Sequence, residues 1–195
     1  MRICLINPNQ WGRGITHLWI ASHSAVLTQN NHTVKLFDCT FYTDWSKDEI
    51  GFNTLNGQYK PTDYSKYVTF KRNVRNDLQL FLTQYRPDLI LVSAISSHIH
   101  GEGEYINIET ANELLKGIDH NSLILAGGIQ PTADTNECIT KYPFIDAFLR
   151  GDSEETITHI AGSKSLDLYT LSLIPGVSVR GFPESRPSTR VALNT

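Results

Sequence analysis

Short runs of apolar residues recur along the chain, and polar or turn-forming residues bound each run. Such runs are typical of strands that are buried on both faces of a parallel sheet. The pattern therefore predicts five strands, over 3–6, 34–37, 89–95, 123–126 and 147–149.

Helical patterns separate these runs. The clearest extends from Val74 to Tyr85, with apolar residues at the spacing of one helix face. A second covers 108–118, a third opens at Asp152 with a capping-box pattern, and a short one is expected near Asp134. The first helix follows the first strand. Its predicted buried face comprises Leu18, Ala21, Ala25 and Val26.

Strand and helix alternate along the chain, which is the order of a three-layer, doubly wound α/β fold with right-handed crossovers. We predict a mainly parallel five-stranded sheet of the flavodoxin-like or Rossmann-like type. In that strand order the chain reverses direction across the sheet between the first and third strands, and ligands of such folds bind at that switch point.

Two stretches fall outside the alternation. Residues 40–64 form a long polar and aromatic insert after the second strand, as lids and binding loops do. Residues 164–195 contain a candidate terminal strand near 174–181 and then a proline-containing, linker-like tail. We therefore expect one α/β domain over 1–163, followed by this strand and tail.

Composition narrows the function classes. The chain has 195 residues, 17 Lys plus Arg and 20 Asp plus Glu, with a net charge of -3. This charge balance gives no indication of a surface that binds nucleic acid or an anionic membrane. There is no apolar window long enough for a membrane span and no signal-peptide pattern. Three scattered cysteines favour reduced thiols in a cytoplasmic protein.

The candidate site lies in the segments that follow the strands, at 7–17, 93–105, 127–132 and 150–156. Gly127 and Gly128 end the fourth strand, and residues without a Cβ let a flat ligand or another backbone approach closely. Ser93 and Ser96 follow the neighbouring strand. Small residues on two adjacent strand ends predict a slot between the sheet and the helices.

Other site chemistries have weaker signals. The Gly12-Arg13-Gly14 segment lacks the third glycine of a dinucleotide fingerprint, and the phosphate-binding P-loop pattern is absent. His98 and His100, followed by two glutamates, are an alternative metal site. The sequence contains no nucleophile elbow. A binding module is therefore favoured over a self-sufficient enzyme, and a flavin or nucleotide ligand stays open as an alternative.

Several segments together resemble a known family. They are ICLINPN at 3–9, NHTVKLFDC at 31–39, RPDLILVSAIS at 86–96, LILAGGIQPTA at 123–133, IDAFLRGDSEET at 145–156 and IPGVSVRG at 174–181. In this order and spacing they are similar to the N-terminal cobalamin-binding domain of cobalamin-dependent radical S-adenosylmethionine enzymes.

The resemblance implies a cobalamin whose corrin ring lies across the carboxyl edge of the sheet and whose benzimidazole tail enters beside the glycines of the fourth strand. No histidine follows the first strand in the pattern that coordinates cobalt, so we expect a base-off cofactor without a protein histidine ligand. The implied cofactor-binding residues are Asn7, Pro8, Gln10, Trp11, Ser93, Ser96, Gly127, Gly128, Gln130, Thr132 and Gly151.

The sequence also departs from the family. Asp152 and Ser153 stand where relatives tend to carry Glu-Gly, and a serine at that point narrows the slot. The CxxxCxxC motif that holds the family's iron–sulfur cluster is absent. The resemblance thus implies a domain that presents the corrinoid to a radical S-adenosylmethionine domain, in cis or in trans, for methyl transfer or related chemistry. The cluster and S-adenosylmethionine would belong to that partner domain. A family member that has lost its ligand and acts as a protein-interaction scaffold is the remaining alternative.

Overall fold

A computed structural model of the chain describes residues 1–10, 18–46, 66–93 and 107–183. Within these ranges six strands form one sheet in the order β2-β1-β3-β4-β5-β6. The strands are β1 (Arg2–Asn7), β2 (Thr33–Asp38), β3 (Leu89–Ser93), β4 (Leu123–Gly127), β5 (Ala147–Leu149) and β6 (Val177–Val179). The helices are α1 (Leu18–Gln29), α2 (Val74–Tyr85), α3 (Asn107–Leu115), α4 (Ile129–Ala133), α5 (Thr135–Lys141), α6 (Ser153–Gly162) and α7 (Leu168–Ser172).

The first five strands pair in parallel, and β6 adds an antiparallel edge beside β5. This arrangement confirms the predicted α/β fold, with β1 and β3 as the neighbours at the switch point. The sixth strand, over Val177–Val179, is the terminal strand expected near 174–181.

Two apolar clusters, one on each face of the sheet, make the three layers. Alternate β1 residues point to opposite faces: Cys4 belongs to the cluster under α2, α3 and α5, and Leu5 to the one under α1, α6 and α7. Leu171 of α7 and Val177 of β6 share the second cluster with Leu5. The predicted domain boundary at 163 stays a prediction, but the chain that follows it packs on the same core.

Three local expectations were wrong. Strand β2 is not buried on both faces, because it lies at the edge of the sheet and Phe37 is its one buried residue. The buried face of α1 is formed by Trp19, Ile20, His23 and Leu27, whereas Leu18 is 83% exposed. The sequence pattern did not indicate this face, because the face includes the polar residue His23 and excludes the apolar residue Leu18. Asp152 occupies the N-cap of α6, but its side chain makes no capping hydrogen bond.

The start of the insert, residues 40–46, packs back onto the domain. Trp45 Nε1 donates to the Pro8 carbonyl at 3.1 Å, and the Tyr42 hydroxyl donates to Asp77 at 2.8 Å. Residues 47–64 of the insert lie outside the described residues, as does the tail from 184.

No helix in the described ranges is long and apolar enough to cross a membrane.

Cys4, Cys39 and Cys138 are all free and buried. Burial raises the pKa of the Cys138 thiol to about 11, and it raises the pKa of Cys4 and Cys39 as well. The three thiols are therefore protonated at neutral pH and are poor nucleophiles.

A candidate ligand cavity at the carboxyl edge of the sheet

A cavity of about 410 Å³ opens where β3, β4 and β5 end, on the side of the sheet that α1 and α6 cover. Its volume falls within the range of small-molecule sites. The described residues that line it are Trp19, His23, Leu91, Val92, Ser93, Gly127, Gly128, Ile129, Thr132, Ala133, Gly151, Asp152, Ser153 and Glu154.

Gly127 and Ser93 are neighbours in the wall of this cavity, paired in register across β3 and β4. A Cβ at Gly127 would lie 3.3 Å from the Leu149 Cβ and 3.5 Å from the Ser153 Oγ. Gly128 adopts φ 130, a conformation that residues with a side chain rarely take. Glycine is favoured at the two positions for different reasons: a Cβ at Gly127 would press against Leu149, whereas Gly128 needs an unusual backbone conformation.

The Thr132 hydroxyl ties two of the lining loops together. It donates to the Gly128 carbonyl at 2.7 Å and accepts from the Gly151 amide at 2.9 Å. Thr132 thus lines the cavity, as its place in the predicted site requires, while its hydroxyl fixes the spacing between the loops after β4 and β5.

Replacing Thr132 by valine, which has the same shape, should lower the free energy of unfolding by about 1 kcal/mol, because the half-buried Gly151 amide loses its acceptor and the Gly128 carbonyl loses one of its two donors. Urea denaturation at 25 °C measures the change. Thr132→Ser keeps the hydroxyl and serves as the control. Equal stability of the valine variant and the wild type would show that this bridge contributes nothing.

A serine–histidine pair forms the polar part of the wall. His23 Nε2 lies 2.9 Å from the Ser153 Oγ, and His23 Nδ1 lies 2.8 Å from the Trp19 carbonyl oxygen. The two side chains are 5% and 8% exposed. Burial lowers the pKa of His23, against the opposing effects of the Trp19 carbonyl and the Glu154 charge. His23 is therefore neutral at pH 7.

The charged residues in the described part of the cavity lining are acidic. Asp152 and Glu154 stand at the start of α6, where carboxylates offset the helix dipole, and Ser22 donates to Glu154 at 2.9 Å. Neither Lys nor Arg occurs among the described lining residues. A ligand with a doubly charged phosphate at this place would meet repulsion.

The predicted residues at the end of β1 lie elsewhere. Asn7, Pro8 and Gln10 are buried and do not line the cavity. Asn7 Nδ2 donates to Asp38 at 3.0 Å, and the Gln10 carbonyl accepts from Ser46 at 3.4 Å. The start of the insert therefore covers this part of the edge, and not the cavity.

Of the other predicted residues, Gln130 hydrogen-bonds Tyr142 and also does not line the cavity. Trp11 and Ser96 lie outside the described residues, and so do His98 and His100 of the alternative metal site. Among the residues that the structure does describe, no group of His, Cys, Asp and Glu side chains is arranged to hold a metal ion.

Trp19 and His23 are not among the site residues predicted from the sequence. They are one helical turn apart on α1, and this spacing of an aromatic and a polar residue was the only indication in the sequence that they share a face. The apolar residues Leu18, Ala21 and Ala25 indicated a different buried face.

The fold and the cavity together define a flavodoxin-like α/β protein with a candidate small-molecule site at the carboxyl edge of its sheet, beside the switch point. No protein-family model matches the sequence, and comparison with curated proteins finds no match.

Comparison with solved structures finds the same fold in cobalamin-dependent radical S-adenosylmethionine enzymes. The chain is similar to the methyltransferase TsrM from Kitasatospora setae, solved with cobalamin and a [4Fe-4S] cluster, at TM-score 0.62 and 14% identity over 99% of this chain. It is also similar to OxsB, solved with aqua-cobalamin and S-adenosylmethionine, at TM-score 0.59 and 16% identity over 97% of this chain. The chain spans 30% of the TsrM chain and 22% of the OxsB chain.

Proposed function

We propose that this chain binds a base-off corrinoid, cobalamin, at the carboxyl edge of its sheet and presents it to a radical S-adenosylmethionine domain. The observation that carries the proposal is the glycine-walled cavity beside the switch point, in a fold shared with proteins solved with cobalamin. The sequence resemblance described above supports the same assignment.

The lining of the cavity fits the base of a corrinoid tail, which is flat and mostly apolar. Trp19, Leu91 and Ile129 supply apolar surface, the Gly127 and Gly128 backbone allows close approach, and Ser153 supplies a polar atom. Ser93, Thr132 and Gly151 would complete the contacts to the base. Trp11 remains a proposed contact for the corrin side, whereas Asn7, Pro8 and Gln10 would reach the corrin only if Trp45 and Ser46, which cover them, moved aside.

The chemistry of His23 agrees with a cofactor that has no histidine on cobalt. Both ring nitrogens of His23 are already hydrogen-bonded, to the Trp19 carbonyl and to Ser153. Coordination to a metal would break one of these buried bonds.

When bound, a corrinoid supplies a cobalt centre that can carry a methyl group. The iron–sulfur cluster and S-adenosylmethionine would come with the partner domain, since the chain lacks a CxxxCxxC motif. The residues of this chain would hold the cofactor and exclude water from its tail. We propose methyl transfer, or a related radical reaction, as the activity of the complete enzyme.

The main competing ligand is a flavin mononucleotide or a nucleotide, which would use the same edge of the sheet. The acidic lining disfavours it, because Asp152 and Glu154 would face a phosphate dianion. A corrinoid is less affected, because the cobalt–corrin centre balances the charge of its single phosphodiester.

The test is to mix the pure protein with hydroxocobalamin, desalt it and record the visible spectrum, with flavin mononucleotide in a parallel sample. We expect corrin absorption of base-off type to stay with the protein, and flavin absorption to be lost. Retained flavin would favour the competing ligand, and a colourless protein in both samples would favour a scaffold without a ligand.

A further inference from the structure

The hydroxyl of Ser153 has a fixed direction. A carbonyl oxygen can only accept, so the 2.8 Å contact with the Trp19 carbonyl places the His23 proton on Nδ1. Neutral His23 then has a lone pair on Nε2, and Ser153 must donate its own proton there across 2.9 Å. Ser153 therefore presents only its acceptor lone pairs to the cavity.

We infer that this Ser153–His23 pair makes the cavity selective for a ring that donates a hydrogen bond. A ring N–H or O–H can donate to the Ser153 Oγ without disturbing the pair. A ring that places an acceptor nitrogen against Ser153 would face another acceptor, and a buried acceptor without a donor is unfavourable. Ser153 is thus a specificity-determining residue, and His23 is a positioning residue that acts through it.

When the ring has no N–H or O–H, uptake of a proton by the ring or by His23 removes this contact between two acceptors. If the ring takes up the proton, it becomes the donor to Ser153. If His23 takes it up, Nε2 donates to Ser153 and the serine hydroxyl turns to donate to the ring. Burial opposes a cation on His23, but the charges around the pair favour one on His23 or on the ring: Glu154 faces His23 from α6 through Ser22, and Asp152 lines the same cavity. The sheet residues beside it, Gly127 and Leu149, carry no charge.

The need for a proton has a specific consequence for a corrinoid, and this consequence rests on the proposed function. The free nitrogen of its benzimidazole is an acceptor only, because the other nitrogen is bonded to the ribose. At pH 6 we therefore expect the protein to take up a fraction of a proton from solvent as it binds the cofactor, with binding that weakens as the pH rises, because a mismatch of about 1–3 kcal/mol raises the pKa of the group that takes up the proton by up to about two units.

Free heterocycles test the selectivity without any corrinoid. Benzimidazole carries an N–H, and 1-methylbenzimidazole does not. At pH 8 wild-type protein should bind benzimidazole about tenfold more tightly, measured by titration with NMR detection, since one hydrogen bond separates the two. Ser153→Ala should remove this preference. Ser163→Ala, at the other end of α6, should keep it. Equal affinities in the wild type, or binding of neither ring, would overturn the inference.

Calorimetry of hydroxocobalamin binding in buffers of different ionisation enthalpy measures the proton uptake. His23→Leu places an apolar residue on the buried face of α1 and frees the Ser153 hydroxyl to donate, so this variant should bind with no proton uptake. Wild-type binding without proton uptake would contradict the inference and leave the proposed function standing. Failure of hydroxocobalamin to bind would contradict the proposed function, and the heterocycle titration would still decide the selectivity.

Discussion

Replacing Gly127 by valine is expected to weaken retention of hydroxocobalamin by roughly 100-fold. A Cβ at this position already lies 3.3 Å from the Leu149 Cβ and 3.5 Å from the Ser153 Oγ, and the two methyl groups of valine must project further. Methyl groups in the space that the ligand needs weaken binding directly, and a loss of about 3 kcal/mol corresponds to roughly 100-fold in affinity. The crowding of Leu149 and Ser153 is a separate effect that costs about 1–3 kcal/mol of stability in the free and the bound protein alike.

The measurement is the dissociation constant for hydroxocobalamin by absorbance titration, with a thermal melt to show that the variant is folded. Gly162→Val is the matched control, because a Cβ at Gly162, the last residue of α6, meets nothing within 4 Å. Unchanged affinity in the Gly127 variant would show that the ligand does not use this wall. Gly128 is a poorer test, since at φ 130 any side chain strains the backbone and destabilises the loop itself.

Replacing Leu91 by alanine is expected to lower the free energy of unfolding by about 2–5 kcal/mol and to weaken ligand binding as well. Leu91 is 2% exposed and belongs both to the core cluster under α1 and α6 and to the wall of the cavity. Truncation removes buried apolar contacts, and it also removes apolar surface that would pack against a ring.

Leu89 offers a matched control two residues earlier on β3. It is 0% exposed and belongs to the same cluster, but it does not line the cavity. Leu89→Ala should lose a similar amount of stability in urea denaturation and keep the affinity for hydroxocobalamin. Equal losses of affinity in both variants would mean that Leu91 acts only through the stability of the core.

The fold was predictable because its signals are local. An apolar run between turn residues, as at Leu89–Ser93, identifies a buried strand from adjacent residues alone, and the stripe from Val74 to Tyr85 identifies a helix in the same way. The edge position of β2 was not predictable. Its apolar run resembles those of the central strands, and only the number of neighbouring strands decides how much of it is buried.

The site was predictable in part for the same reason. In a doubly wound sheet the carboxyl ends of the strands meet at one edge, so the residues after β3, β4 and β5 come together once the order of elements is known. Ser93, Gly127, Gly128, Thr132 and Gly151 do line one cavity. The end of β1 departs from this expectation because Trp45 and Ser46 of the insert cover it.

Residues that are adjacent in the chain thus fix the class of fold, the order of the elements and the edge where a ligand would bind, since propensity and periodicity are properties of short segments. The pairing of His23 with Ser153 joins positions 130 residues apart. It exists because α1 and α6 pack side by side on one face of the sheet. Such contacts depend on the register of one helix against another, which no short segment encodes, and the tertiary structure alone decides the polarity of the cavity.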